Sequence, residues 1–141
     1  MEMSAQEKFR LISVINLLDS KGTIDISGEW NAVEIGISHR SGNTNTRGTY
    51  LFRMITPTTF IGLGAETDTY PSGNQLSYTF TATNGVVGDN RAISWLCDCA
   101  ETQWKWRVEA KLAEDGMVMS GRMIGVSGGA LDGPGVYTRV R

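Results

Sequence analysis

Trp104-Lys105-Trp106-Arg107-Val108-Glu109-Ala110-Lys111-Leu112 is the stretch on which the fold turns. Every even position is apolar and every odd position is charged; a period of two separates a core face from a wet face only on an extended backbone. Upstream, Leu76, Tyr78, Phe80 and Ala82 alternate with Ser77, Thr79, Thr81 and Thr83, a second half-buried strand rich in β-branched residues. Outward from these two, further strands are expected on either side. Glu114-Asp115-Gly116 turns the chain into a strand from Met117 to Val126, and the glycine-rich loop Gly128 to Gly135 leads to a last one, Val136 to Val140.

Toward the N-terminus, Ala92 to Cys99 reads as a strand, and Asn84-Gly85 with Gly88-Asp89-Asn90 frames a turn, with Val86 and Val87 available to prolong the strand before it. Thr59 to Glu66 is another strand, closed by a turn region from Asp68 to Asn74, and Gly48 to Ile55 is a strand that Pro57 ends. Ile24, Ile26, Gly28, Trp30 and Ala32 alternate with polar neighbours as the first strand. Eight strands joined by short loops, with no helix between them, predict an all-β fold: an antiparallel meander closing into an up-and-down barrel. One α-helix precedes it. Ser4-Ala5-Gln6-Glu7 is a capping box, apolar residues from Phe9 to Leu18 follow at helical spacing, and Lys21-Gly22 supplies the stop, so a helix is expected from Ala5 to Asp19. Residues 1–22 are therefore read as a lid or subunit interface, with a homodimer as a candidate assembly, and residues 23–141 as the barrel domain.

A chain of 141 residues has room for one domain. Thirteen Lys and Arg against fifteen Asp and Glu give a net charge of −2, without the basic surplus that binds nucleic acid. No apolar run approaches the ~20 residues of a membrane-spanning helix, and the N-terminus lacks the basic flank of a secretory signal, so a cytoplasmic protein is expected. Cys97 and Cys99, two apart on one strand, are expected as reduced thiols. They lack the companions a structural zinc needs, and the glycine-rich stretches match no nucleotide fingerprint, so no metal and no cofactor is expected.

Gly28-Glu29-Trp30 on the first strand, with Arg139 or Arg141 on the last, resembles the calycin signature of lipocalins and avidins, in which a first-strand Trp packs with a basic residue near the C-terminus. Tyr137-Thr138-Arg139-Val140-Arg141 is similar to an avidin ending and Gly48-Thr49-Tyr50 to an avidin second strand. The resemblance implies a calycin-like barrel with Trp30 against one of the two arginines. In size and shape the chain also resembles the cofactor-free cyclases that close spirotetronate and spirotetramate rings inside barrels.

Strand parity turns Tyr50, Phe52, Tyr78, Phe80, Trp95, Trp104 and Trp106 inward, with Met119 and Met123 on one phase of the seventh strand. Such an interior is either a filled core or a cavity lined by aromatic side chains. Glu34 poses a similar choice. Continuing the first strand's phase points it inward, whereas Val33, Ile35 and Ile37 suit the opposite phase and favour a β-bulge near Ala32 and Val33 that leaves Glu34 in water. Glu66 is expected at the rim, and His39, the only histidine, on the surface. The function expected from this set is a cofactor-free cyclase or isomerase, of Diels–Alder type among the possibilities, acting on an apolar small molecule. Glu34, Tyr50 and Tyr78 are its candidate catalytic groups, and Phe52, Phe80, Trp95, Trp104, Trp106, Met119 and Met123 its ligand contacts. The alternative is a non-catalytic binder of a small hydrophobic ligand, of lipocalin or avidin type.

Overall fold

The computed structural model describes residues 3–11 and 24–140. Its strands are β1 (Gly28–Gly36), β2 (Thr44–Thr56), β3 (Thr59–Thr69), β4 (Gln75–Val87), β5 (Ala92–Cys99), β6 (Trp104–Leu112), β7 (Val118–Ser127) and β8 (Gly133–Arg139). Each pairs antiparallel with the next, and β8 returns to β1 over Trp30↔Arg139 to Glu34↔Gly135, so the sheet closes and leaves no free edge. Residues 5–11 are helical, with the Ser4 hydroxyl accepting the Glu7 amide at 3.1 Å as the capping box requires. The rest of the expected helix lies outside the described residues.

Several boundaries differ from those the alternation predicts, each for a local reason. Ile24 to Ser27 are not strand: Gly28 adopts φ +120°, a conformation that favours glycine, and the chain before it crosses the end of the barrel. Ile26 is nonetheless fully buried, held in place where the Trp30 indole N–H donates to its carbonyl at 2.8 Å. There is no bulge in β1; its register with β2 runs unbroken from Gly28↔Phe52 to Gly36↔Thr44. Val33 and Ile37 therefore face outward and Glu34 inward. At the other side, β2 begins at Thr44, and β3 continues beyond Glu66 to Thr69 because Asn45, Thr46 and Arg47 pair with Thr69, Asp68 and Thr67. Asn84-Gly85 makes a bulge inside β4 rather than a turn, with Asn84 at φ 51° and the register shifting between Thr83 and Val86.

The barrel interior divides along its axis. Its middle is a plug of aromatic rings: Tyr50 packs on Phe52, Phe80, Trp95 and Tyr137 at centroid separations of 5.1 to 5.6 Å, and Phe52 on Phe60 at 5.1 Å. Most of these contacts are edge-to-face, the geometry in which a ring's positive edge meets its neighbour's negative face, contributing about 0.5–1.5 kcal/mol each beyond burial. Glycine makes the room: a Cβ on Gly64 would run into its cross-strand partner Phe80, and one on Gly85 into Phe60.

One end is sealed by Trp30 and Arg139. The guanidinium carbon stands 4.4 Å from the indole centroid, the contact that the calycin resemblance implies. Arg139 also donates to the carbonyls of Asp25 (2.6 Å), Ser27 (2.8 Å) and Gly116 (3.1 Å), tying the incoming chain and the turn before β7 to β8. Arg139→Ala is expected to lower unfolding free energy by about 2–3 kcal/mol in urea melts, since charge-assisted hydrogen bonds and a partly exposed cation–π contact are lost together. Arg139→Lys should recover less than half, because an ammonium has no planar fork to span three carbonyls.

Candidate functional site

The other end is open. The β1–β2 loop, the β3–β4 turn and the β7–β8 loop surround a cavity of about 200 Å³. Its inner wall is Glu34, Thr44, Thr46, Asp68, Tyr78, Trp104, Trp106 and Met123, and its rim includes Ser38, Ser41, Tyr70 and Leu131. The space exists because the inward positions of β1 and β2 at this level are Gly36, Thr44 and Thr46, small side chains where the plug has rings.

Three carboxyl groups sit together here, all nearly inaccessible: Glu34 at 1%, Glu66 at 3% and Asp68 at 5% exposure. Cross-strand pairing assembles them, with Glu34 beside Thr46, Thr46 beside Asp68, and Glu66 flanked by Gly48 and Tyr78. A Cβ on Gly48 would collide with the Glu66 side chain, and one on Gly135 with the Tyr137 hydroxyl, so two glycines are what admits this cluster. Tyr137 donates to Glu34 Oε2 at 2.6 Å. Asp68 Oδ1 accepts from both Thr46 (2.7 Å) and Tyr78 (2.8 Å), and Tyr50 reaches Glu66 Oε1 at 3.5 Å.

Glu34 and Glu66 lie close enough for each to shift the other's titration, and burial raises both carboxyls above the ordinary value of 4.5. Burial, and then the charge of Glu34, push the Glu66 carboxyl well above that value. Glu34 is raised too, by burial, but its interactions with Glu66 and Tyr137 favour its charged form. Glu34 Oε1 and Glu66 Oε2 are buried and have no hydrogen-bond partner among the described residues. Burial also drives the Tyr50, Tyr78 and Tyr137 hydroxyls and the Cys97 thiol upward, so each stays protonated and able to donate.

Of the residues expected from parity, Glu34, Tyr78, Trp104, Trp106 and Met123 line this cavity. Tyr50, Phe52, Phe80, Trp95 and Met119 do not; they point inward as expected but belong to the plug or the sealed end. The interior is thus filled and hollow at different depths. Glu66 is not at the rim, and Asp68 is not in a turn: both are inward strand residues. The signal for them was the alternation Gly62, Gly64, Glu66, Asp68 continuing the phase of Phe60. His39 is exposed, and Cys97 and Cys99 are buried and unpaired.

Fold and cavity together define an eight-stranded up-and-down β-barrel with a pocket at one mouth. Solved structures similar to it include two barrels. A de novo designed fluorescence-activating β-barrel matches with a TM-score of 0.52 and 14% identity, covering 82% of this chain and 94% of that one. EF1p2_mFAP2b, in its complex with DFHBI, matches with a TM-score of 0.56 and 13% identity, covering 86% and 98%. At that identity the likeness establishes the barrel fold. No protein-family model and no curated protein matches the chain.

The carboxyl pair makes stability depend on pH with a definite sign. Both groups have folded-state values raised above 4.5, so the folded protein binds more protons than the unfolded chain once pH exceeds that value. Stability is therefore full below about pH 4.5 as far as this pair is concerned and falls as pH rises through the folded-state values, by up to about 1.4 kcal/mol per unit for each proton involved. Urea melts from pH 4.5 to 8.5 should show this decline. Glu66→Gln, which keeps a donor for Glu34 without a charge, is expected to flatten it and to be the more stable protein at pH 8.

Proposed function

We propose that the protein binds one small molecule in the open end of the barrel, the non-catalytic reading of its architecture. The observation that carries this is the contrast between a barrel packed solid over most of its length and a mouth where Trp104, Trp106, Tyr78 and Met123 surround empty space beside buried polar groups. Aromatic walls with a few convergent polar atoms are the usual composition of a ligand site. EF1p2_mFAP2b, a barrel of the same fold, is bound to the small molecule DFHBI, which supports the reading by precedent of scale. The two unpaired buried thiols are the basis for placing the protein in a reducing compartment such as the cytoplasm.

A second reading, the cofactor-free cyclase or isomerase, draws on one observation: the buried Glu34–Glu66 carboxyl pair, whose titration is raised by burial, with Glu34 on the cavity wall where a carboxyl can act as a general acid or base. Native mass spectrometry of protein purified from its own host names the retained compound and separates the two. A binding module returns that compound unchanged. An enzyme converts it, and Glu34→Gln then slows conversion by about 100-fold.

For the binding reading, titration with the neutral naphthalene dye prodan should raise dye fluorescence and quench tryptophan emission. Trp104→Ala, at a half-buried cavity wall, is expected to weaken prodan binding about tenfold while shifting the melting temperature by a few degrees at most. Trp95→Ala should do the reverse, costing about 3–5 kcal/mol of stability as a large core truncation. Equal effects of the two substitutions on binding would remove the cavity from its proposed role. Residues 1–22 keep the role of lid or subunit contact on the strength of their apolar helical pattern. Their deletion should change either prodan affinity or oligomer size, and constancy of both would end that assignment.

A further inference from the structure

We infer that the ligand of this cavity is a small organic cation, with an ammonium or amidinium head seated against Asp68 and Glu34 and a flat body against Trp104 and Trp106. This assignment rests on the binding reading above and narrows it to a chemical class.

Among the described residues the cluster has no counter-charge. Asp68 and Glu34 line the cavity, and Glu66 stands directly behind them. The ion pairs among the described residues are Lys105–Asp98 and Arg107–Glu109, both at the surface. The charges that act on Glu34 and Glu66 are those of other acids. The groups that donate to these acids are neutral hydroxyls, Tyr137 to Glu34 and Thr46 and Tyr78 to Asp68. Asp68 takes two donated hydrogen bonds on Oδ1, an acceptor's arrangement, and its Oδ2 takes none from the described residues. Buried carboxylates without a counter-charge are costly, and a cation arriving from outside turns that cost into affinity.

Independently of the acids, Trp106 lines the same cavity at 4% exposure, and its buried indole N–H has no partner among the described residues. The unmet donor therefore calls for a molecule that brings both a positive donor head and an acceptor.

The wall chemistry separates an organic cation from a metal ion. Among the described residues, no three His, Cys, Asp or Glu side chains are placed to hold a metal. The remaining walls are indole and phenol rings, with Tyr78 and Trp104 edge-to-face at 5.3 Å. Ring faces attract a poorly hydrated organic cation through their quadrupoles, and the flat body buries apolar surface against them.

A matched pair of probes tests this without any substitution. 4-Methoxybenzamidine and 4-methoxybenzamide share shape and an ether acceptor and differ in charge. Tryptophan-fluorescence titration of the full chain at pH 7 should show the amidine binding at least tenfold more tightly. Asp68→Asn should reduce that preference to threefold or less, and Glu34→Gln should reduce it in the same direction if the asparagine variant does not fold. Trp106→Phe, which keeps a ring and loses the donor, should weaken both probes by a similar factor. Equal binding of the two probes, preference for the amide, or a preference that survives both carboxamide substitutions overturns the cation assignment and leaves the binding reading standing. Binding of prodan with neither probe overturns it in the same way. Failure of prodan and both probes alike overturns the binding reading itself.

Discussion

Closure of the sheet fixes the cross-section of the interior, and every inward side chain has to be reconciled with that one dimension. Eight strands leave a bore that side chains can just fill. Rings from β2, β3, β4, β5 and β8 fill it in the middle, with Gly64 and Gly85 on the facing strands giving space for Phe80 and Phe60. Where the inward residues of β1 and β2 become glycine and threonine, the same bore cannot be filled, and a cavity results. The plug and the pocket are thus two outcomes of a single constraint on volume.

The plug also sets the chemistry of the pocket. By excluding water from below, it places Glu34 and Glu66 in a medium that disfavours charge and raises both carboxyls above their ordinary value. Tyr50 and Tyr137 belong both to the aromatic packing and to the hydrogen bonds that reach the acids, so the boundary between stability and site is drawn inside single side chains. A barrel selected for stability alone has little use for three carboxyls on inward positions. On the proposed reading, these buried acids are groups in which stability is traded for recognition.

At the opposite end, Arg139 holds together parts of the chain that no strand pairing reaches. Its three carbonyl acceptors belong to the segment before β1 and the turn before β7, and its contact with Trp30 stacks on the bottom of the core. The chain thus enters the barrel at the sealed end while the cavity opens at the other, so packing against Arg139 and access to the acids do not compete for the same side chains.

The alternation of residues along each strand was enough to give eight strands, their order as a meander and the face each ring would take, because parity is a local property of an extended backbone. Trp30 against a C-terminal arginine was legible in another way, from the resemblance of Gly28-Glu29-Trp30 and the chain's ending to the calycin signature. Depth was not legible. Phe52 and Trp106 have the same parity signature, yet one is locked in the plug and the other faces the pocket, and only the stagger of strands from distant parts of the chain separates them. Nor did parity decide Glu34, Glu66 and Asp68, since an acid on an inward phase looks in one dimension like a bulge, a rim or a turn. Their burial became possible through Gly48, Thr46, Tyr78, Gly135 and Tyr137, neighbours brought from other strands of the closed barrel, and hydrogen bonds across strands are a property that no single strand possesses.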